Sequence, residues 1–124
     1  MIEQGNYDDY LKSVGVRLID RKVEGSVSAR IYIANDGDNY AYREFAGQVR
    51  EFTFRIVQEF QIKYFNFDVT CNITLLSDNK MQQSIRDSNG KRINIIRSFD
   101  QDGMSEELDC VDDSVIAKRK FKRI

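Results

Sequence analysis

The stretch "NYAYREFAGQVREFTFRIVQEFQIK", residues 39–63, decides how the rest of the chain is read. Phe45, Val49, Phe52, Ile56 and Phe60 follow one another at offsets of 4, 7, 11 and 15 from the first, which places them in one stripe of an α-helix. A stripe of this kind buries against a sheet, so the segment is expected to be the one long helix of the domain. On that helix Phe54 falls opposite Phe45, framed by Arg43, Gly47, Arg50 and Gln58. An exposed aromatic among arginines, beside a glycine that admits a close neighbour, has the composition of a partner-binding hot spot.

The flanks supply the sheet. Residues 6–14 carry Tyr7, Tyr10, Leu11 and Val14 at helical spacing and stop at Gly15. Two short strands are expected at 16–23 and 27–34, the second with Val27, Ala29, Ile31 and Ile33 on one side. The segment "FNFDVTCNITLL" alternates cleanly, with Phe65, Phe67, Val69, Cys71, Ile73 and Leu75 on one face. Asn89 and Gly90 then mark a type I′ hairpin turn between Ile85 and the pair Ile93, Ile95. Ser105 followed by Glu106 and Glu107 is a helix start.

The expected fold is therefore α+β: an antiparallel sheet of about five strands with one long helix packed on one face, in the order α-ββ-α-βββ-(α). Residues 1–113 form a single domain and 114–124 a basic C-terminal tail, in which Val115, Ala117 and Phe121 have the spacing of a final strand. This element order resembles the longin and roadblock-type architecture and, in part, that of secretion chaperones.

Composition narrows the chemistry. Among 124 residues there is no histidine, which excludes Ser-His-Asp and Cys-His catalysis and the common histidine-containing zinc sites. Two cysteines are too few for a disulfide framework, and Cys71 reads as a small buried hydrophobe. Asp100, Asp102 and Gly103 suggest a calcium loop, but Ser98 and Asp109 stand where its first and last ligands belong. Asp20 and Lys22 lack the other carboxylates a metal-dependent nuclease needs. No glycine-rich phosphate loop is present. No catalytic, cofactor-binding or metal-binding residue is expected, and the chain is read as a non-enzyme.

Charge is uneven. Net charge is −1, yet five cations lie in the last seven residues, leaving six net negative charges on the remainder. Lys118, Arg119, Lys120, Phe121, Lys122 and Arg123 are thus the candidate contact for an anionic partner, by counterion release and stacking or by docking on an acidic protein. The function expected from these features is a non-catalytic interaction module, a small subunit or adaptor of a larger assembly such as a viral or phage structural component. A nucleic-acid-associated regulator using the tail is the first alternative, and a small acidic inhibitor or immunity-type protein the second. The expected partners are a protein or a second copy of the chain, with nucleic acid through the tail, and neither a membrane nor a small-molecule substrate. The expected setting is the cytoplasm, or a virion assembled there.

Overall fold

The computed structural model describes residues 3–16, 29–45, 49–65 and 67–122. Its architecture is mostly β. The described residues form ten strands and a short helix placed after the first strand: β1 (Glu3–Gly5), α1 (Tyr7–Ser13), β2 (Arg30–Asp36), β3 (Asn39–Phe45), β4 (Val49–Arg55), β5 (Phe60–Tyr64), β6 (Phe67–Ser77), β7 (Lys80–Asp87), β8 (Arg92–Phe99), β9 (Gly103–Cys110) and β10 (Val115–Lys122). They form a seven-stranded sheet, β1-β10-β9-β8-β7-β6-β5, and a three-stranded sheet, β2-β3-β4. Every neighbouring pair is antiparallel.

The α+β expectation is overturned at its centre, because residues 39–63 are three strands rather than one helix. The reason lies in a second periodicity. Tyr40, Tyr42 and Glu44 alternate inward on β3, and Arg50, Phe52 and Phe54 do so on β4. The register sets these residues face to face: Tyr40 opposite Phe54, Tyr42 opposite Phe52, Glu44 opposite Arg50. The first two pairs stack with centroids 5.2 and 4.9 Å apart. Cross-strand aromatic pairs of this kind stabilise a hairpin as a helical stripe stabilises a helix. Two members of the supposed stripe, Phe45 and Val49, are instead exposed.

Elsewhere the pattern of two governs. On β6, Val69, Cys71 and Ile73 are buried, while the ends of the alternation, Phe67 and Leu75, reach solvent. The β7–β8 hairpin turns through Asp87 to Lys91, with the Gly90 amide donating to the Asp87 carbonyl and Gly90 at φ +82°. Gly90 alone takes the left-handed conformation, so the turn is a three-residue loop and not type I′. Residues expected to start a helix at Ser105 belong to β9, where Met104, Glu106, Leu108 and Cys110 point inward. Segment 114–124, set apart above as a tail, contributes β10, which lies between β1 and β9. Of the two strands expected at 16–23 and 27–34, most of the first lies outside the described residues, as do Asp20 and Lys22.

Helix α1 lies against β9 and β10 and closes one part of the interior. Its Tyr10 and Leu11 pack with Cys71, Ile85, Ile95 and Leu108 in one buried cluster. It ends at Gly15, whose φ is +94° and where an added Cβ would meet the Phe67 ring at 3.3 Å. A second cluster joins the two sheets: Tyr42 and Phe54 from β3 and β4 meet Ile73 and Met81 from β6 and β7.

Candidate functional site

Four adjacent strands each interrupt their apolar inner face with one polar residue: Gln83 on β7, Arg97 on β8, Glu106 on β9 and Arg119 on β10. The register brings Arg97, Glu106 and Arg119 side by side across three strands. All are buried, and so is Glu44, which arrives from the opposite sheet. A charge this far from water must be paired and hydrogen-bonded to persist.

The pairing is extensive. Arg97 donates through Nε to Glu106 Oε2 at 3.0 Å, through Nη1 to Gln83 Oε1 at 2.9 Å, and through Nη2 to Tyr42 Oη at 3.4 Å. Arg119 donates through Nε to Glu106 Oε1 at 2.6 Å and spans Glu44 with both terminal nitrogens, at 3.2 and 3.3 Å. Tyr42 Oη donates to Glu44 Oε1 at 2.6 Å, and Arg50 donates to Glu44 Oε2. The arginines also stack on rings: Arg97 lies 4.7 Å from the Tyr42 centroid, Arg119 4.8 Å from Tyr7, and Arg50 4.2 Å from Phe65.

Protonation follows from these contacts. Burial alone would raise the Glu44 carboxyl, but Arg119 and Arg50 outweigh it and hold the group well below the usual carboxylate range. Burial opposes the charge on Arg119, and Glu106 with Glu44 more than offsets this, so it stays protonated. Burial pushes the Tyr7 hydroxyl up to about 12 and the Tyr42 hydroxyl well above its ordinary value. Both tyrosines are therefore neutral donors at physiological pH. Burial likewise pushes the Cys71 thiol up to about 11, in part offset by the Gln83 hydrogen bond, so it is not a nucleophile.

This cluster faces a cavity of about 520 Å³ between the sheets. Glu44, Arg50, Arg97 and Arg119 form its charged side, while Phe52, Phe60, Ile62, Ile95 and Leu108 supply apolar wall. A more open hollow of about 610 Å³ lies between β2 and the ends of β9 and β10, over Ile31, Ile33, Met104 and Phe121. A space of ~300–1,000 Å³ with mainly apolar walls and a few convergent polar groups is the usual form of a small-ligand site. Among the described residues no set of three or more His, Cys, Asp or Glu side chains is arranged to hold a metal ion, and no helix is long and apolar enough to cross a membrane.

The chain departs here from the expected sites. Phe54 is buried, 6% exposed, and packs against Tyr40 and Phe60 instead of facing a partner. Arg50 belongs to the interior cluster. Arg43 is exposed on β3 and pairs with Glu51 at 2.9 Å, and Gln58 is exposed in the turn after β4. Gly47 and Arg123 lie outside the described residues. The tail's cations divide by the period of two: Lys118, Lys120 and Lys122 point outward, while Arg119 and Phe121 point inward. Asp100 serves the turn before β9, its Oδ1 accepting from the amides of Asp102 and Gly103 at 2.8 Å.

No family model matches the chain. Its sequence is 27% identical to a fatty acid-binding protein of Tyrophagus putrescentiae over 120 residues, covering 95% of this chain and 88% of that one. It is 29% identical to the adipocyte fatty acid-binding protein of Pygoscelis papua over 119 residues, with the same coverage. Among solved structures, the fatty acid binding protein of Schistosoma mansoni in complex with arachidonic acid superimposes with a TM-score of 0.91 at 25% identity, covering 98% of this chain and 90% of that one. The fold is the ten-stranded β-clam of the fatty acid-binding proteins. The longin-like and secretion-chaperone resemblances fall with the long helix they required.

The chain is not an enzyme, since the proteins it is similar to are named for the ligand they bind. The same likenesses overturn the expectation of an assembly subunit or adaptor, together with its nucleic-acid and inhibitor alternatives. They also overturn the expectation that no small molecule enters, because the Schistosoma mansoni protein holds arachidonic acid. What hid the site was its dispersal: Glu44 lay in a supposed helix, Glu106 at a supposed helix start and Arg119 in a supposed tail. The available signal was one polar residue in each of four consecutive strand faces.

Proposed function

We propose that the chain is an intracellular carrier, acting in the cytoplasm, that takes one long-chain lipid into the space between its two sheets. The observation that carries this reading is the meeting, in one cavity of about 520 Å³, of an apolar stretch of wall (Phe52, Phe60, Ile62, Ile95 and Leu108) with a buried cluster of arginines, carboxylates and tyrosines. Such a cavity separates the two halves of an amphipathic ligand: apolar surface is removed from water along the wall, and the polar end rests against groups that can hydrogen-bond it. The adipocyte and mite relatives and the arachidonate-bound structure support the reading.

The test is direct. Lipid-stripped protein is titrated with Nile red, an uncharged fluorophore that brightens in apolar surroundings, and the bound dye is then competed with long-chain lipids. Saturation at one dye per chain and displacement by a lipid are expected. Absence of dye binding, or dye that no long-chain lipid displaces, sinks the reading.

A further inference from the structure

We infer, building on the carrier reading above, that the interior selects a long-chain ligand whose polar end is an uncharged hydroxyl over one that ends in a carboxylate, and that Glu44 sets this preference. The arginines that a ligand carboxylate would seek are already engaged by the chain itself. Glu106 holds Arg97 and Arg119 from within the seven-stranded sheet. Glu44 lines the cavity and spans both terminal nitrogens of Arg119 from the opposite sheet. The paired contact that a planar guanidinium offers to a carboxylate is thus made by the protein's own side chain.

Displacing Glu44 is unfavourable for a second reason. Its Oε1 accepts from Tyr42 and Arg119, and its Oε2 from Arg119 and Arg50. That fills the roughly four acceptor positions of an ionised carboxylate. A ligand carboxylate would either evict Glu44, stranding its charge away from water, or sit beside it as a like charge in a poorly screened interior. A hydroxyl meets neither obstacle. It can accept from the Tyr7 hydroxyl or the Gln83 amide, both at the cavity wall, and brings no charge that the ion pairs must accommodate. Arg97 is engaged as well, with Glu106, Gln83 and Tyr42 accepting from its Nε, Nη1 and Nη2 in turn.

The experiment competes bound Nile red with a matched pair, oleyl alcohol and oleate, delivered from one ethanol stock to lipid-stripped wild-type protein and to Glu44→Gln. For the wild type, the alcohol should bind about tenfold or more tightly than the acid. In Glu44→Gln that ratio should collapse to within about threefold, because the like charge is gone and the amide is more readily displaced. Oleate binding the wild type as tightly as the alcohol, or more tightly, overturns the inference while leaving the carrier reading intact. A wild-type preference for the alcohol that Glu44→Gln leaves unchanged overturns the role of Glu44. Failure of both lipids to displace the dye defeats the carrier reading itself. The wild-type pair decides the headgroup preference even if the variant does not fold.

Discussion

Two ionic clusters in this molecule both pair cations with carboxylates and stand in opposite surroundings. In the interior, Arg97 and Glu106 pair at 3.0 Å with side chains 4% and 0% exposed. Near the end of α1, Arg92 and Asp112 pair at 3.2 Å with side chains 64% and 38% exposed, beside Lys91 and Asp113 at 2.7 Å. The outer pairs pin the turn at 111–113 to β8 and to the last turn of α1, and water can replace any partner that is lost. The inner pairs have no such substitute. Breaking a buried pair leaves a charge without solvent, so the geometry proposed to receive a ligand's polar end is also a structural liability. Function and stability are therefore coupled inside and independent outside.

That contrast can be broken at its strongest point first. Arg119→Met would leave Glu44 and Glu106 buried beside an apolar chain, and should cost about 3–5 kcal/mol, read from urea denaturation. This is a large part of the ~5–15 kcal/mol stability of an ordinary domain. A loss below about 1 kcal/mol would show that the inner cluster behaves like a surface one.

Next comes pH. The Glu44 carboxyl is held below its ordinary value of 4.5, so its contribution is fully present above that pH and is lost as pH falls through the lower folded value. Urea midpoints of the wild type and Glu44→Gln, followed from about pH 7 to about pH 3, should differ most at neutrality and draw closer as pH falls below the ordinary carboxylate value. A gap that stays constant would mean that Glu44 is not held ionised by its arginines.

A smaller effect is expected from a half-buried hydrogen bond that carries no charge. Tyr10 and Tyr64 join hydroxyl to hydroxyl at 2.7 Å in the core beneath α1. Tyr10→Phe should cost about 1 kcal/mol by thermal or urea unfolding, well short of Arg119→Met. The least effect belongs to Asp112→Asn, which loosens the outer pair with Arg92; its denaturation midpoint should overlay that of the wild type, and a clear shift would give the surface cluster a structural weight it is not assigned here.

Parts of this architecture are legible in the residues. The alternation through Val69, Cys71 and Ile73, the hairpin centred on Gly90 and the short helix at Tyr7–Ser13 each rest on a local pattern with a local cause. Residues 39–63 mislead because outward-facing Phe45 and Val49 happen to fall at helical spacing from inward-facing Phe52 and Phe60, so that one apparent stripe mixes two faces of the strands. The register that pairs Tyr40 with Phe54 and Tyr42 with Phe52 is a property of the hairpin and not of either strand alone. Polar residues on inward positions mislead further, since Glu106 and Arg119 look like a helix start and a basic tail until both are set on one sheet face.

From the sequence alone came the absence of histidine-based catalysis, the buried thiol of Cys71 and the antiparallel run of β6 to β8, because each depends on composition or on neighbours in the chain. Only the tertiary structure decided that the body has two sheets and a cavity, and that Glu44, Arg97, Glu106 and Arg119 meet in one buried cluster beside it. Those residues come from four strands spread over 75 positions between Glu44 and Arg119. Their charges are tolerable inside only because all of them arrive together, and no local pattern records that condition.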